Sequence, residues 1–413
     1  MEAKLKSFEF IENGTLTSVP GIKAAGVTAG FKRSGAPDFA LVYSETPADF
    51  GGVFTSCTFA AAPVRLCQSR VLNSPKLRAV MINSGNANAC TGEAGMQSAQ
   101  LSAEIAAKAL DISADEVAVA STGRIGVQMN MSLIEKGIAL AVPALSSAGG
   151  AQAAEAIMTT DTVPKAAAVK VVLSDGQEIT IGAMTKGAGM IDPHLTVPHA
   201  TMICVAATDA AVSKAQLMKI LPENADASFN RITVDGDMST NDTVLVLANG
   251  KSGKVIAEGS EDEKIFAEAL LALMQNLARR MVMDGEGATK FVTVDVRGAR
   301  SAADAKLAAE AVGNSLLCKT AWFGNDPNWG RVVAALGYSG AKFDPDKCDI
   351  YFDDTPVVKK GGDSGVPEVE LLPIVSKREF VIRCELNEGD CDYWVWASDV
   401  SYEYVKINAD YHT

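Results

Sequence analysis

The chain has 413 residues, 48% hydrophobic and 21% charged, with a formal net charge of −13 and a mean hydropathy of +0.12. That composition excludes a disordered chain, and the length exceeds what one ordinary core fills, so two domains are expected. The acidic balance excludes a basic nucleic-acid groove, no apolar run is long enough to span a membrane, and Met1–Lys6 open no secretory signal, which makes the cytoplasm the expected compartment.

In chain order, Leu77 to Asn83 reads as a strand and Gly95 to Leu110 as an amphipathic helix. Ser121-Thr122-Gly123-Arg124-Ile125-Gly126 sets a hydroxyl beside a glycine whose amide can approach a reacting carbonyl; the plainer reading is a turn. Ala168 to Leu173 reads as a strand, and Lys186 to Ala200, rich in glycine and proline, as irregular backbone. Thr201 to Ala206 is an apolar run typical of a buried strand, which would put Thr201 at its first position. Glu261 to Met283 is the longest helical stretch, closed by Asp284-Gly285, and the acids at its start read as a solvated helix N-terminus. The alternation of strands and helices gives an α/β fold class. The division expected is a main domain over residues 1–285 and a smaller α/β domain over 286–413, whose polar and aromatic end reads as a docked tail.

The heptapeptide Val197-Pro198-His199-Ala200-Thr201-Met202-Ile203, close behind Lys186-Gly187-Ala188-Gly189-Met190, reads as a self-cleavage site. Cutting between Ala200 and Thr201 creates an N-terminal threonine that carries nucleophile and general base on one residue. An α-amine, with a reference pKa of roughly 8, suits a base near neutral pH. Thr196, between Leu195 and a following Val197-Pro198, is a poorer choice.

Other patterns carry less. Gly250-Lys251-Ser252 ends like a phosphate loop, but Leu245 stands where the motif requires glycine, so a hairpin turn is expected. Asp235 to Thr240 has the acids of a calcium loop but lacks its glycine, so a structural turn is expected. The histidines (His194, His199, His412) have no ligand spacing to the cysteines, so no metal site is expected, and a Ser/His/Asp triad is disfavoured. The eight cysteines form no Cys-x-x-Cys pair and read as reduced core thiols.

The chain resembles the bacterial ornithine acetyltransferase family of arginine biosynthesis. The resemblance runs over nearly the whole chain through Asn83-Ser84-Gly85-Asn86-Ala87-Asn88-Ala89, Ser121-Thr122-Gly123, Met158-Thr159-Thr160-Asp161-Thr162, Lys186 to Ile191, Ser228 to Asp237, Asp284 to Lys290, Asp326-Pro327-Asn328-Trp329-Gly330-Arg331 and Ile407 to Tyr411. It departs at Asp192 to His199, which run longer than the family's pattern. The resemblance implies an N-terminal-nucleophile-like main domain with α/β/β/α layers. It implies a precursor cut into an α-chain (1–200) and a β-chain (201–413) assembled as α2β2. The implied reaction carries acetyl from N2-acetyl-L-ornithine to L-glutamate. Thr201 is then the nucleophile and Thr122 and Gly123 the oxyanion hole. Thr159 or Thr160, Lys186, Thr201, Glu286, Asn408 and Thr413 are the implied substrate contacts. No cofactor is implied; the family divides over acetyl-CoA as a second acetyl donor. Lys186 has two open roles, holding the Thr201 amine neutral or binding a substrate carboxylate, beside the plain reading of a surface lysine. Two rivals remain: an N-terminal-nucleophile amidase or aminopeptidase, in which water resolves the acyl-enzyme, and an uncleaved binding protein.

Overall fold

Ile203–Thr208 carries no polar residue before its last position, and the strand it forms is buried on both faces. In the computed structural model, which describes residues 7–193 and 202–410, it runs parallel to Thr243–Ala248 and antiparallel to Glu178–Lys186. Among the described residues the strand starts at Ile203, the first residue paired on both sides, with Lys186 and Thr243, and Met202 precedes it. Ala200 and Thr201 lie outside the described residues, as do the three histidines, Thr196 and Thr413.

The nine-stranded sheet runs Phe8–Phe10, Lys165–Val172, Glu178–Lys186, Ile203–Thr208, Thr243–Ala248, Phe39–Phe54, Leu77–Asn86, Val117–Arg124, with Ile22–Val27 also paired to Phe39–Phe54. The long strand Phe39–Phe54 joins its two halves: Asp49 to Phe54 pair with Thr243–Ala248, Phe39 to Ser44 with Ile22–Val27, and Phe39 to Tyr43 and Ala48 with Leu77–Asn86. The halves pack face to face, since Val205, Leu245 and Leu247 share one core with Val42, Val80, Ile82 and Ala120. Helices Lys214–Asp226 and Glu261–Met283 cover one outer face. Helices Gly92–Leu110 and Met131–Ala144 cover the other through Ala103, Ala106, Ile134 and Ile138. The order is helix, sheet, sheet, helix, the α/β/β/α layering expected.

The helix Glu261–Met283 begins where the Ser260 hydroxyl accepts the Glu263 amide (3.1 Å), and Phe266, Leu270, Leu273 and Leu277 bury its apolar stripe. Its first turn is not simply solvated. Glu263 is buried and accepts from the Gln216 side chain (2.8 Å) and the Gly259 amide (2.7 Å), which tie the helix start to its neighbour.

A seven-stranded sheet holds Gly362–Asp363, Thr355–Lys359, Asp349–Phe352, Glu379–Glu385, Phe291–Ala299, Cys391–Ser398 and, at one edge, Ile232–Thr233. Helix Ala302–Asn314 packs Ala305, Ala308 and Val312 against Val292, Val294 and Val296, which alternate along their strand as period two requires. The tail forms helix Tyr402–Asp410, docked through the Ser401 hydroxyl to the Gly287 carbonyl (2.6 Å).

Gly250 to Ser252 form a turn but no hairpin, because the neighbours of Thr243–Ala248 are Ile203–Thr208 and Phe39–Phe54 and the chain runs on towards Glu261. All eight cysteines are unpaired; burial pushes the Cys67 and Cys204 thiols up to about 12, which leaves them unreactive as nucleophiles.

Candidate active site

Strand ends make the site. The C-terminal ends of Val117–Arg124 and Glu178–Lys186 meet the N-terminal ends of Ile203–Thr208 and Thr243–Ala248 around a cavity of about 140 Å³. Thr122, Gly123, Thr159, Thr160, Lys186, Glu286 and Asn408 all line it. Sequence positions from 122 to 408 thus converge on one pocket, whose lining also includes Met202, the residue after Thr201.

Thr122 and Gly123 end a strand in register with Ser84 and Gly85. Gly123 has φ +129, and a Cβ there would stand 2.3 Å from the Gly85 carbonyl carbon, so the close approach of these strands demands glycine. The backbone behind is held by buried amides: Asn241 donates to the carbonyls of Ala87 and Ser121, and the Ser121 hydroxyl donates to Asn83 (2.6 Å). A rigid strand end of this kind is a suitable mount for oxyanion donors.

Lys186 is buried rather than at the surface, and its ammonium donates to the Thr122 hydroxyl oxygen at 3.3 Å. With that oxygen occupied as acceptor, the Thr122 O–H is left free to donate into the pocket. Burial pulls Lys186 below the usual lysine range, while Asp161 and Asp242 pull it back up.

The glycine loop is pinned from two sides. The Asp161 carboxylate accepts the Gly187 amide (2.7 Å) and, with its second oxygen, the Thr159 amide (3.0 Å), so one acid fixes both Lys186's successor and the Thr159-Thr160 wall. Asp161 is itself held by fully buried Lys165 (2.7 Å), which also pairs with Asp284. Burial would raise the Asp161 carboxyl, but Lys186 and Lys165 outweigh it and hold the group at about 2. Across the loop, Asp235 accepts the amides of Met190 (2.7 Å) and Ile191 (2.9 Å), so the segment expected to be a plain turn anchors the pocket wall.

Glu286 is buried, with its amide on the Ala188 carbonyl (2.8 Å) and its carboxylate accepting the Asn408 side-chain amide (2.7 Å). A Cβ on Gly189 would stand 2.3 Å from the Glu286 carboxyl carbon, so glycine is what lets this acid reach the pocket. Asn408 sits on the tail helix beside Tyr404, whose hydroxyl donates to Asp235 (3.3 Å). Among the described residues no group of histidine, cysteine or acidic side chains could hold a metal ion.

Nothing in the local sequence singles out Lys165, Asp242 or Tyr404. Asp161 lies in a motif that gives it no role of its own, Asp235 reads only as part of a turn and Asp284 only as a helix stop, although the Asp161–Lys165 spacing of four is there to be read. Asp242 is buried at the pocket wall, and only its place in the fold sets it apart.

Residues 23–413 match the ArgJ family. The chain is 48% identical over 403 residues, 97% of its length and 99% of the relative's, to a Symbiobacterium thermophilum protein called arginine biosynthesis bifunctional protein ArgJ. It is 44% identical to a Methanocaldococcus jannaschii protein called glutamate N-acetyltransferase, over 94% of this chain and 98% of that one. Among solved structures it is similar to ornithine acetyltransferase from Mycobacterium tuberculosis complexed with ornithine, at 43% identity and a TM-score of 0.42 over 46% of this chain and 100% of that chain.

Proposed function

The chain belongs to the ArgJ family and is an acyltransferase of arginine biosynthesis; from that premise we propose that it cuts itself between Ala200 and Thr201 and carries acetyl from N2-acetyl-L-ornithine to L-glutamate on Thr201. The α-amine of Thr201 takes the hydroxyl proton as the oxygen attacks the acetyl carbon. The oxyanion is met by the Thr122 hydroxyl and the Gly123 amide. Collapse breaks the C–N bond, the proton leaves with ornithine, and the acetyl ester waits for the amine of glutamate. Glu286 receives a substrate ammonium, with Asn408 holding that carboxylate and Thr413 completing the contacts. Thr160, with Thr159 beside it, forms the facing wall. The active form is an α2β2 assembly of residues 1–200 and 201–413 in the cytoplasm.

The observation that carries this reading is the buried Lys186 ammonium on the Thr122 hydroxyl at 3.3 Å, which orients an O–H donor into the pocket whose lining includes Met202. The test incubates the protein with acetylornithine and glutamate. Acetylglutamate should form with little free acetate, and intact mass should show two chains with one acetyl group on the fragment starting at Thr201. Acetate as the main product would make the protein the rival amidase. The same adduct formed from acetyl-CoA alone would establish the second donor.

Replacing Thr122 with alanine should lower kcat about 10²–10³-fold, roughly 3 kcal/mol of transition-state stabilisation, with KM for acetylornithine nearly unchanged. A variant with wild-type kcat would remove Thr122 from the oxyanion site.

A further inference from the structure

Asp242 immediately precedes the strand Thr243–Ala248 and is buried at the wall of the pocket. Its Oδ2 has no hydrogen-bond partner among the described residues. A buried carboxylate in that condition is strongly disfavoured until a cation or donor meets it. Lys186 acts on it electrostatically, but its ammonium already donates to Thr122 and is shared with Asp161. Burial accordingly pushes the Asp242 carboxyl well above the usual carboxylate range, against the Ser239 hydroxyl and Lys186, which pull it down.

The sheet fixes where this acid stands. Thr243 is in parallel register with Ile203, and its amide donates to the Met202 carbonyl. Asp242 is therefore alongside Met202, one residue from the threonine at which the new chain would begin.

We propose that Asp242 is a positioning residue for the α-amine of Thr201, its carboxylate accepting a hydrogen bond from that nitrogen and serving as counter-ion to the ammonium formed during acetyl transfer. The inference rests on Thr201 being the new N-terminus. Proton balance is unchanged: the hydroxyl proton goes to the amine, stays there through the tetrahedral stage and leaves on the ornithine nitrogen, while Asp242 only accepts a hydrogen bond. No α-amine exists before the chain is cut, so self-cleavage is spared when Asp242 is changed. The groups facing Asp242 are Lys186 on Glu178–Lys186 and Cys57 ahead of helix Ala62–Asn73. Glu286, Asp235 and Asp237 share the pocket lining, and Asp161 acts electrostatically on Lys186.

The experiment takes the full chain and its Asp242→Asn and Asp242→Glu variants. Intact mass is read first, then kcat and KM for acetylornithine across pH. The asparagine variant should still cleave, lose about 10–100-fold in kcat with KM little changed, and show its acidic limb at lower pH, because an amine without its counter-ion gives up its proton more readily. The glutamate variant should recover part of the rate and return the limb towards wild type. Asp242→Ser removes the same charge and leaves room for water, and carries the same expectation if the asparagine variant does not fold. A cleaved neutral variant with wild-type kcat and pH profile, or one whose rate falls with the limb unmoved, overturns the proposal. A wild-type chain that is active yet uncut would instead overturn the role of Thr201.

Discussion

Replacing Thr201 with alanine should leave the 413-residue chain as one polypeptide and reduce acetyl transfer to background, whereas Thr201→Ser should preserve both cleavage and turnover. The two outcomes follow from one requirement. The residue must supply a hydroxyl to attack the preceding carbonyl and, once cut, the same hydroxyl with a free amine beside it. Serine supplies both and alanine neither. The effect should be larger than for Thr122, because losing an oxyanion donor weakens a transition state that still forms, while losing the nucleophile removes the route itself. The strand that follows is anchored by its own residues: Met202 is buried and Ile203 is paired on both sides. Intact mass and turnover on one preparation check this, and an uncut alanine variant that still forms acetylglutamate would sink the acyl-enzyme.

What could be read from the residues is what local chemistry encodes. Glu261–Met283 is legible because a 3.6-residue apolar stripe and an Asp-Gly stop agree, while the Ser260 cap and the buried Glu263 at its start emerge only in the fold. Ile203–Thr208 is legible as a buried strand from its unbroken apolar run, but its start is not, since pairing partners rather than composition decide where a ladder begins. The candidate residues Thr122, Gly123, Thr159, Thr160, Lys186, Glu286 and Asn408 come from a resemblance, and the fold brings them round one cavity. The scaffolding acids behind them are another matter. Asp284 meets Lys165 across 119 residues, and nothing in either neighbourhood announces the partner. Ile232–Thr233 is too short to show any periodicity, yet it edges the second sheet. Asp242 reads as any acid before a strand until the fold buries it with Oδ2 unpartnered among the described residues.

The Lys165 triad gives the largest expected effect on stability. Lys165→Met should cost about 3–5 kcal/mol, because it leaves Asp161 and Asp284 buried without the cation that compensates both. The damage should reach the pocket, since Asp161 also holds the Gly187 and Thr159 amides that set the glycine loop and the threonine wall. The acid response follows from the sign of the shift. Lys186 and Lys165 hold Asp161 at about 2, below its ordinary 3.8, against the effect of burial. The unfolded chain therefore binds the proton more readily, so the stabilisation is fully present above the ordinary carboxylate range and is lost as pH falls towards about 2. Without Lys165 the Asp161 carboxyl rises, so the variant should begin to unfold in acid at a higher pH than the wild type. Denaturant unfolding at neutral pH and an acid titration followed by circular dichroism measure the two effects. The double replacement Lys165→Met with Asp161→Asn should lose less than the single one, because it removes a stranded charge together with its partner. If the single variant matched the wild type in both measurements, the triad would be a by-product of the fold and the wall of the pocket would have to be held by something else.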